Sequence, residues 1–455
     1  MKDESDSLRG MSKTFRPWDV EQRWLLPPSV HELVPPGHVA HFVRDTVREE
    51  LDLGPILSGY EEERGYPPYH PVMMVALLLY AYSRGVYSSR KIAQACEERV
   101  DFMAVTAMNR PDFRTIATFR RRHLKTLGDL FVQVLKLCRA AGLVKLGHVS
   151  LDGTKVQANA SLHKAMSYGR MREAEKKLAA EVAAWFAKAE ATDAEEDRVH
   201  GADRRGDEMP DWVANKAARL ERIRAAKAVL EAEAKAPPPD PDDDGPGPSS
   251  GMMERTSRPK RGPDGGPPER AQRNFTDPDS RIQPTRSGVL QGYNAQIAVD
   301  GAHQIIIAQR LQTSPADGRA LKPLLAAARE VLRANPEELS ADAGYCSQAN
   351  LAHLARRRIN AYLAPGRAKH GQANAAGKRR WRKGSRVEAM ARKLKRAGRR
   401  SRYRLRKQIV EPVFGQIKHA RGFRQFLLRG LDKVRSEWAM ICTAHNLLKL
   451  AKATG

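Results

Sequence analysis

The chain has 455 residues, 41% of them hydrophobic, and a formal net charge of +26. That length calls for two or three domains, and a cationic excess of this size is characteristic of proteins that neutralise phosphates, so the expected partner is nucleic acid. The longest apolar run, VMMVALLLYAY (72–82), is far short of the roughly 20 residues needed to cross a bilayer, so no membrane partner is expected.

The start, MKDESDSLRG, is acidic and polar and does not read as a signal peptide. Cys96, Cys138, Cys346 and Cys442 show no CxxC spacing. Free buried thiols in a reducing cytoplasm are expected rather than a zinc site.

Residues 1–14 are expected to be disordered and 15–147 to form a helical domain. HPVMMVALLLYAYSRG (70–85) is apolar nearly all round and predicts a central core helix. A second helix is expected over 88–105, with Ser88 or Ser89 as N-cap. A third is expected over 115–142, where Ile116, Phe119, His123, Leu127, Phe131, Val134, Leu135 and Cys138 fall near one stripe. Three helices with basic turns suit a helix-turn-helix-like DNA-binding bundle, in which Arg90, Lys91 and Arg114 would meet DNA. A bundle with merely solvated charges is the plainer alternative.

From His148 the period becomes that of strands. Expected strands are HVSLDGTKVQANAS, GYNAQIAVD (292–300), HQIIIAQRLQ (303–312), 338–343 and INAYLAP (359–365), with helices over 318–334 and 347–358. The fold class implied is α/β, a mixed sheet flanked by helices over 148–455. A helical insertion is expected at 163–235 and a disordered linker, rich in Pro, Gly and Asp, at 236–270. A basic insertion occupies 366–405, and in the overlapping stretch 378–407, 16 of 30 residues are Lys or Arg. So dense a run repels itself unless it meets a polyanion; without one it would be a flexible cationic tail.

Three acids stand among small or apolar neighbours: Asp152 in VSLDGTK (149–155), Asp342 in LSADAGYCS (339–347) and Glu411 in KQIVEPVFGQIK (407–418). Such carboxylates can hold two Mg²⁺ ions about 3.5–4 Å apart for in-line attack on a phosphodiester. Asp152-Gly153 is also a routine turn signal, and Asp342 taken alone is no more specific. Val410, Val413, Phe414 and Ile417 form an apolar stripe that leaves Lys407, Glu411 and Lys418 on its flank. Pro412 implies either a kinked helix or one that begins there, with Glu411 at its N-cap. Asp277 and Asp279 in FTDPDSR read as turn-forming or DNA-facing, and His445 as a core histidine.

FRPWDVEQRWLLPPSVHELVPPGHVA (15–40), TDPDSR (276–281), QGYNAQIAVD (291–300), ADAGY (341–345) and VEPVFGQIKHARGFRQFLLRG (410–430) together resemble a DDE transposase of a bacterial insertion sequence, with an InsH-type N-terminal domain. The resemblance implies a ribonuclease-H-like catalytic core and Asp152, Asp342 and Glu411 as a catalytic, metal-binding triad for Mg²⁺, with Mn²⁺ as substitute. It implies double-stranded DNA as partner, both element ends and target, a homodimer in the DNA complex and a nucleoid-associated, cytoplasmic location. Relatives carry a Tyr, Arg, Glu, Lys signature; here Glu411 and Lys418 keep its spacing, whereas Arg404 and Lys407 stand where Tyr and Arg are expected, with Tyr403 and Arg406 one residue out of register. Lys418, Lys407, Arg406, Arg404 and Lys155 are the expected DNA contacts around the triad. The alternatives are a non-catalytic DNA-binding protein, decayed or regulatory, and a ribonuclease-H-like nuclease without strand transfer.

Overall fold

A computed structural model describes residues 29–60, 68–200, 211–235, 262, 265–285, 288–366 and 381–454. The stretch 1–14 and most of 236–270, both expected to be disordered, lie outside the described residues, as do 367–380 of the basic insertion.

Seven helices come first: α1 (Val39–Glu49), α2 (Gly54–Leu57), α3 (Pro71–Ser83), α4 (Ser89–Glu98), α5 (Val100–Thr106), α6 (Phe113–Arg122) and α7 (Leu124–Ala140). α3 starts with Pro71, whose fixed φ suits a first helical turn. Every residue from Met74 to Ser83 is buried, as its apolar circumference requires. Ser88 is the N-cap residue of α4.

Two of the expected helices are in fact broken. The 88–105 helix divides at Arg99, which adopts an extended conformation (φ −120°, ψ 120°) and pairs with Asp101 at 2.6 Å. The 115–142 helix divides at His123, whose φ of −106° and ψ of 19° leave the helical range. His123 is 6% exposed, and its ring lies 3.2 Å from the Tyr60 hydroxyl. Ile116, Phe119, Leu127 and Phe131 are buried on either side of the His123 break, and Ile92, Cys96 and Phe102 on either side of the Arg99 break, so each pair of helices faces the same core.

The chain then enters β1 (His148–Gln157), followed by a short β2 (Ala165–Ser167) and the long helices α8 (Tyr168–His200) and α9 (Asp211–Lys235). This hairpin has its own small core of Met171, Ile223, Ala226 and Leu230 and cross-helix ion pairs of Glu175 with Arg224 and Lys227. At its base β2 pairs with β3 (Gln272–Asn274). β4 (Arg281–Thr285), β5 (Gly288–Asp300), β6 (Ile306–Gln312), α10 (Leu321–Leu332), β7 (Glu338–Ala341), α11 (Gln348–Arg356) and β8 (Asn360–Leu363) follow.

β1 is the middle of the six-stranded mixed sheet. It runs antiparallel to β5 on one side and parallel to β7 on the other, and β8 continues parallel beyond β7. The far edge of β5 is shared by β4 and β6, both antiparallel to it. This is a mixed α/β fold.

The last helices are α12 (Arg386–Ala397), α13 (Leu405–Gly415) and α14 (Leu431–Thr454). Within the basic run, 386–397 is neither a self-repelling segment nor a flexible tail. Val387, Met390, Ala391 and Leu394 recur at helical spacing and are buried, α12 packs on α11 and β8, and Ser385 caps its start through the Glu388 N–H. α13 runs straight through Pro412, which settles that the helix does not begin there. It continues into a wider π turn, Gln416–Ala420. α14 packs against α7, α3, α1 and β6, so the N-terminal helices and the sheet share one hydrophobic core centred on Trp438, Met440 and Ile441. No helix among the described residues is long and apolar enough to cross a membrane.

Candidate active site

Parallel pairing of β1 with β7 sets Leu151 opposite Ala341. The next residues, Asp152 within β1 and Asp342 just past the end of β7, therefore stand side by side. Asp342 caps a single turn, its carboxylate accepting the Gly344 N–H at 2.8 Å. Asp152 accepts its neighbour Gly153 N–H at 2.9 Å. The backbone is closely covered at both glycines: a Cβ on Gly153 would displace the Gln296 amide, and one on Gly344 would lie 3.0 Å from both Asp317 Oδ2 and Asp342 Oδ1.

α13 packs on β1 and brings in Glu411 and Arg406. The Arg406 guanidinium donates to Asp152 Oδ2 at 2.7 Å and lies 3.8 Å from Glu411 Oε1. Asp152 and Arg406 are largely buried, whereas the Glu411 side chain is 51% exposed. The Arg406 Nε is buried without a hydrogen-bond partner. Burial pushes the Asp152 carboxyl up to about 7, with Arg406 opposing and Asp342 and Asp317 adding to the rise. Burial, then the neighbouring Asp317, also raises Asp342, against the pull of Arg406.

Asp317 is a fourth acid of this cluster that sequence reasoning missed. Its Oδ1 accepts from Lys155 Nζ at 3.2 Å, Asn294 at 2.8 Å and Gln296 at 2.7 Å. Gln296 in turn accepts the Tyr345 hydroxyl, tying the Asp342 turn to β5. The signal was available: Asp317 precedes Gly318 and follows Ala316, the same acid-among-small-residues pattern that marks Asp152 and Asp342.

The cationic candidates divide into three groups. Lys155 is pinned to Asp317 and the Pro315 carbonyl, and burial lowers its pKa against the pull of Asp317. Lys418 donates to Thr154 Oγ1 at 2.9 Å and to the Lys155 carbonyl at 3.0 Å, and burial followed by Arg424 lowers its pKa. Arg406 and Lys155 thus touch the carboxylate cluster, and Lys418 sits beside it on β1. Arg404 and Lys407 are exposed on the outer side of the 402–408 stretch. In the cluster it is Arg406 that meets Asp152, and burial raises the pKa of nearby Tyr403, with Arg406 opposing. Arg90, Lys91 and Arg114 lie on α4 and α6, outside this cluster, with Arg90 and Arg114 stacked 5.2 and 5.6 Å from the Phe113 ring.

Asp277 is structural: both its oxygens accept the Tyr293 hydroxyl at 2.9 Å, and the Gly430 N–H reaches it at 3.1 Å. Asp279 accepts the Leu431 N–H at the start of α14. His445 is buried between Arg421 and the Gln304 carbonyl, and burial holds it down to about 3. All four cysteines are free and buried.

Among the described residues, no three His, Cys, Asp or Glu side chains stand close enough together to hold an ion as they are. The donor chemistry nonetheless suits one kind of ion. Every candidate ligand is a carboxylate oxygen, the preference of Mg²⁺ and Mn²⁺. Burial, more than the neighbouring acids, raises the pKa of Asp152 and Asp342 against the pull of Arg406.

The family described as "Transposase domain (DUF772)" matches residues 28–122, and the one described as "Transposase DDE domain" matches residues 273–447. The second match contains Asp342, Arg406, Glu411 and Lys418, and starts after β1, which carries Asp152. Comparison with curated proteins and with solved structures gave no match. With a transposase domain near its start and a DDE domain filling most of its second half, the chain belongs to the DDE transposases of insertion elements.

Proposed function

We propose that the protein binds the ends of its own element, cuts the DNA there and joins the freed 3′-hydroxyl to target DNA, with Asp152, Asp342 and Glu411 as the catalytic triad. The observation that carries this reading is that Asp152 on β1 and the helix-borne Glu411 share Arg406, with Asp342 beside Asp152 at the end of the neighbouring strand. A ribonuclease-H-like core is supported by the strand order β6-β5-β1-β7-β8, in which β5 and β6 are antiparallel to their neighbours and β1, β7 and β8 are parallel.

Asp152, Asp342 and Glu411 would hold Mg²⁺ or Mn²⁺, which when bound supplies activation of the attacking hydroxyl and stabilisation of the leaving oxygen. The chain's own side chains do the rest. Arg406 balances the Asp152 and Glu411 charges, and Lys418 presents an ammonium on the flank of β1 for a phosphate. Asp317 fixes Lys155 and, through Gln296 and Tyr345, the turn that carries Asp342. The outer cations Arg404 and Lys407, the α12 face, and Arg90, Lys91 and Arg114 would hold duplex phosphates. Two ends cut in one event require two catalytic centres, hence at least a homodimer on DNA, acting in the cytoplasm on nucleoid DNA.

The test supplies a duplex carrying the DNA that flanks the gene, a supercoiled target plasmid and Mg²⁺. A 3′ end joined covalently to the plasmid supports the reading. Hydrolysis without joining reduces it to a nuclease, and binding with no cleavage to a DNA-binding protein.

A further inference from the structure

Beyond the carboxylates, β1 leads into a second concave site. Its last residue, Gln157, is bridged to Gln425, and its backbone bonds to Arg424 and Phe426. The segment 424–429 thus lies alongside the end of β1, held further on by Asn159 donating to the Leu427 carbonyl at 2.7 Å and by Arg429 donating to the Asn159 carbonyl at 3.0 Å. Between this segment, the β4–β5 hairpin and the turn at 161–164 lies a groove of about 710 Å³.

Its lining has an unusual chemistry for a chain with this many acids. Four amide residues, Gln157, Asn159, Gln291 and Gln425, line it together with Lys164 and Arg429, and no carboxylate does among the described residues. Gln157 is exposed and makes no side-chain hydrogen bond among the described residues. Gln291 is only 4% exposed; it donates to Ser280 Oγ at 2.7 Å, while its Oε1 has no partner. Val289, 52% exposed, forms an apolar lip.

We infer that the duplex of the element end next to the cut lies across this groove, with Lys164 and Arg429 on phosphates and the Gln157 amide on a base edge. The inference rests on the transposase reading and adds where sequence is read. Cations neutralise backbone phosphates without sequence preference, whereas Gln and Asn pair with adenine edges. Five residues of β1 separate Asp152 from Gln157, roughly 17 Å at strand spacing. That equals about five base steps of B-DNA. Lys418, on Thr154 and Lys155 between the two sites, lies on the path joining them.

The experiment uses full-length protein, an element-end duplex that the wild type cuts and a scrambled duplex of equal length. Gln157→Ala is expected to weaken the end duplex about 10-fold and leave the scrambled duplex unchanged. Lys164→Ala is expected to weaken both and to lower the slope of log affinity against log salt by about one. A photo-crosslinking residue at Val289 should attach to DNA about four to six base pairs from the cut. Crosslinks elsewhere, or wild-type binding by both variants while cleavage persists, overturn the groove and leave the transposase reading intact. A wild type that binds no duplex at all overturns both.

Discussion

The Arg406 guanidinium lies 2.7 Å from the carboxylate of Asp152, a residue 254 positions earlier in the chain. That contact joins α13 to the central strand and supplies the one cation that Asp152 and Glu411 share. It does not fully offset the burial of Asp152, whose pKa stays at about 7, well above the ordinary carboxylate range.

A stability consequence follows from that shift. The folded state keeps the Asp152 proton up to about pH 7, and the unfolded state loses it near pH 4. Folded protein therefore binds more protons across this window, and its stability falls as pH rises through it. Asp152→Asn is expected to raise stability at pH 8 by at most a few kcal/mol, the gain shrinking towards zero by pH 4. Urea denaturation at the two pH values measures it; an equal effect at both would show that Asp152 titrates normally.

Divalent cations are expected to act on the same cluster. Mg²⁺ at about 100 times its dissociation constant should stabilise the wild type by about 2.7 kcal/mol. The accompanying rise in Tm should shrink in Asp342→Asn and Glu411→Gln and be reversed by EDTA. A shift of the same size in wild type and both variants would place the ion elsewhere.

Glu437 is buried on α14, and its carboxylate accepts the Leu427 and Leu428 N–H groups at 2.9 to 3.2 Å. Glu437→Ala strands two donors in the core and is expected to cost roughly 2–4 kcal/mol. Glu437→Gln retains an acceptor oxygen and relieves a buried charge whose pKa burial already raises, so it should cost far less. Denaturant midpoints of the two variants decide this, and equal losses would contradict it.

The Tyr293–Asp277 pair offers a contrast between structure and chemistry. Asp277→Ala removes the acceptor of both the buried Tyr293 hydroxyl and the Gly430 N–H. A loss of roughly 2–4 kcal/mol is expected, with DNA cleavage per folded molecule unchanged. Specific activity corrected for the folded fraction is the readout; a drop beyond that fraction would assign Asp277 a part in the reaction.

The sequence exposes much of this arrangement and hides some of it for identifiable reasons. β1, β5 and β6 announce themselves by apolar runs, and Asp152 and Asp342 stand out because small residues surround them. Asp317 has the same surroundings but opens a helical stretch, and its importance comes from Asn294, Gln296 and Lys155 on strands that only the fold brings near. The helix break at His123 falls inside a continuous apolar stripe and the one at Arg99 has buried apolar residues on either side, so periodicity could not reveal them. Around Glu411, one residue of register separates Arg406 from Lys407. Spacing alone favours Lys407, yet the Asp152 contact belongs to Arg406.

The most direct test of the triad is cleavage of a labelled duplex carrying the flanking DNA, with Mg²⁺ or EDTA, by wild type, Asp152→Asn, Asp342→Asn and Glu411→Gln. Mg²⁺-dependent nicking by the wild type, lost in all three variants while DNA binding persists, is the predicted result. Cleavage that survives any one of these substitutions at the wild-type rate would contradict the assignment of that carboxylate and of the triad with it.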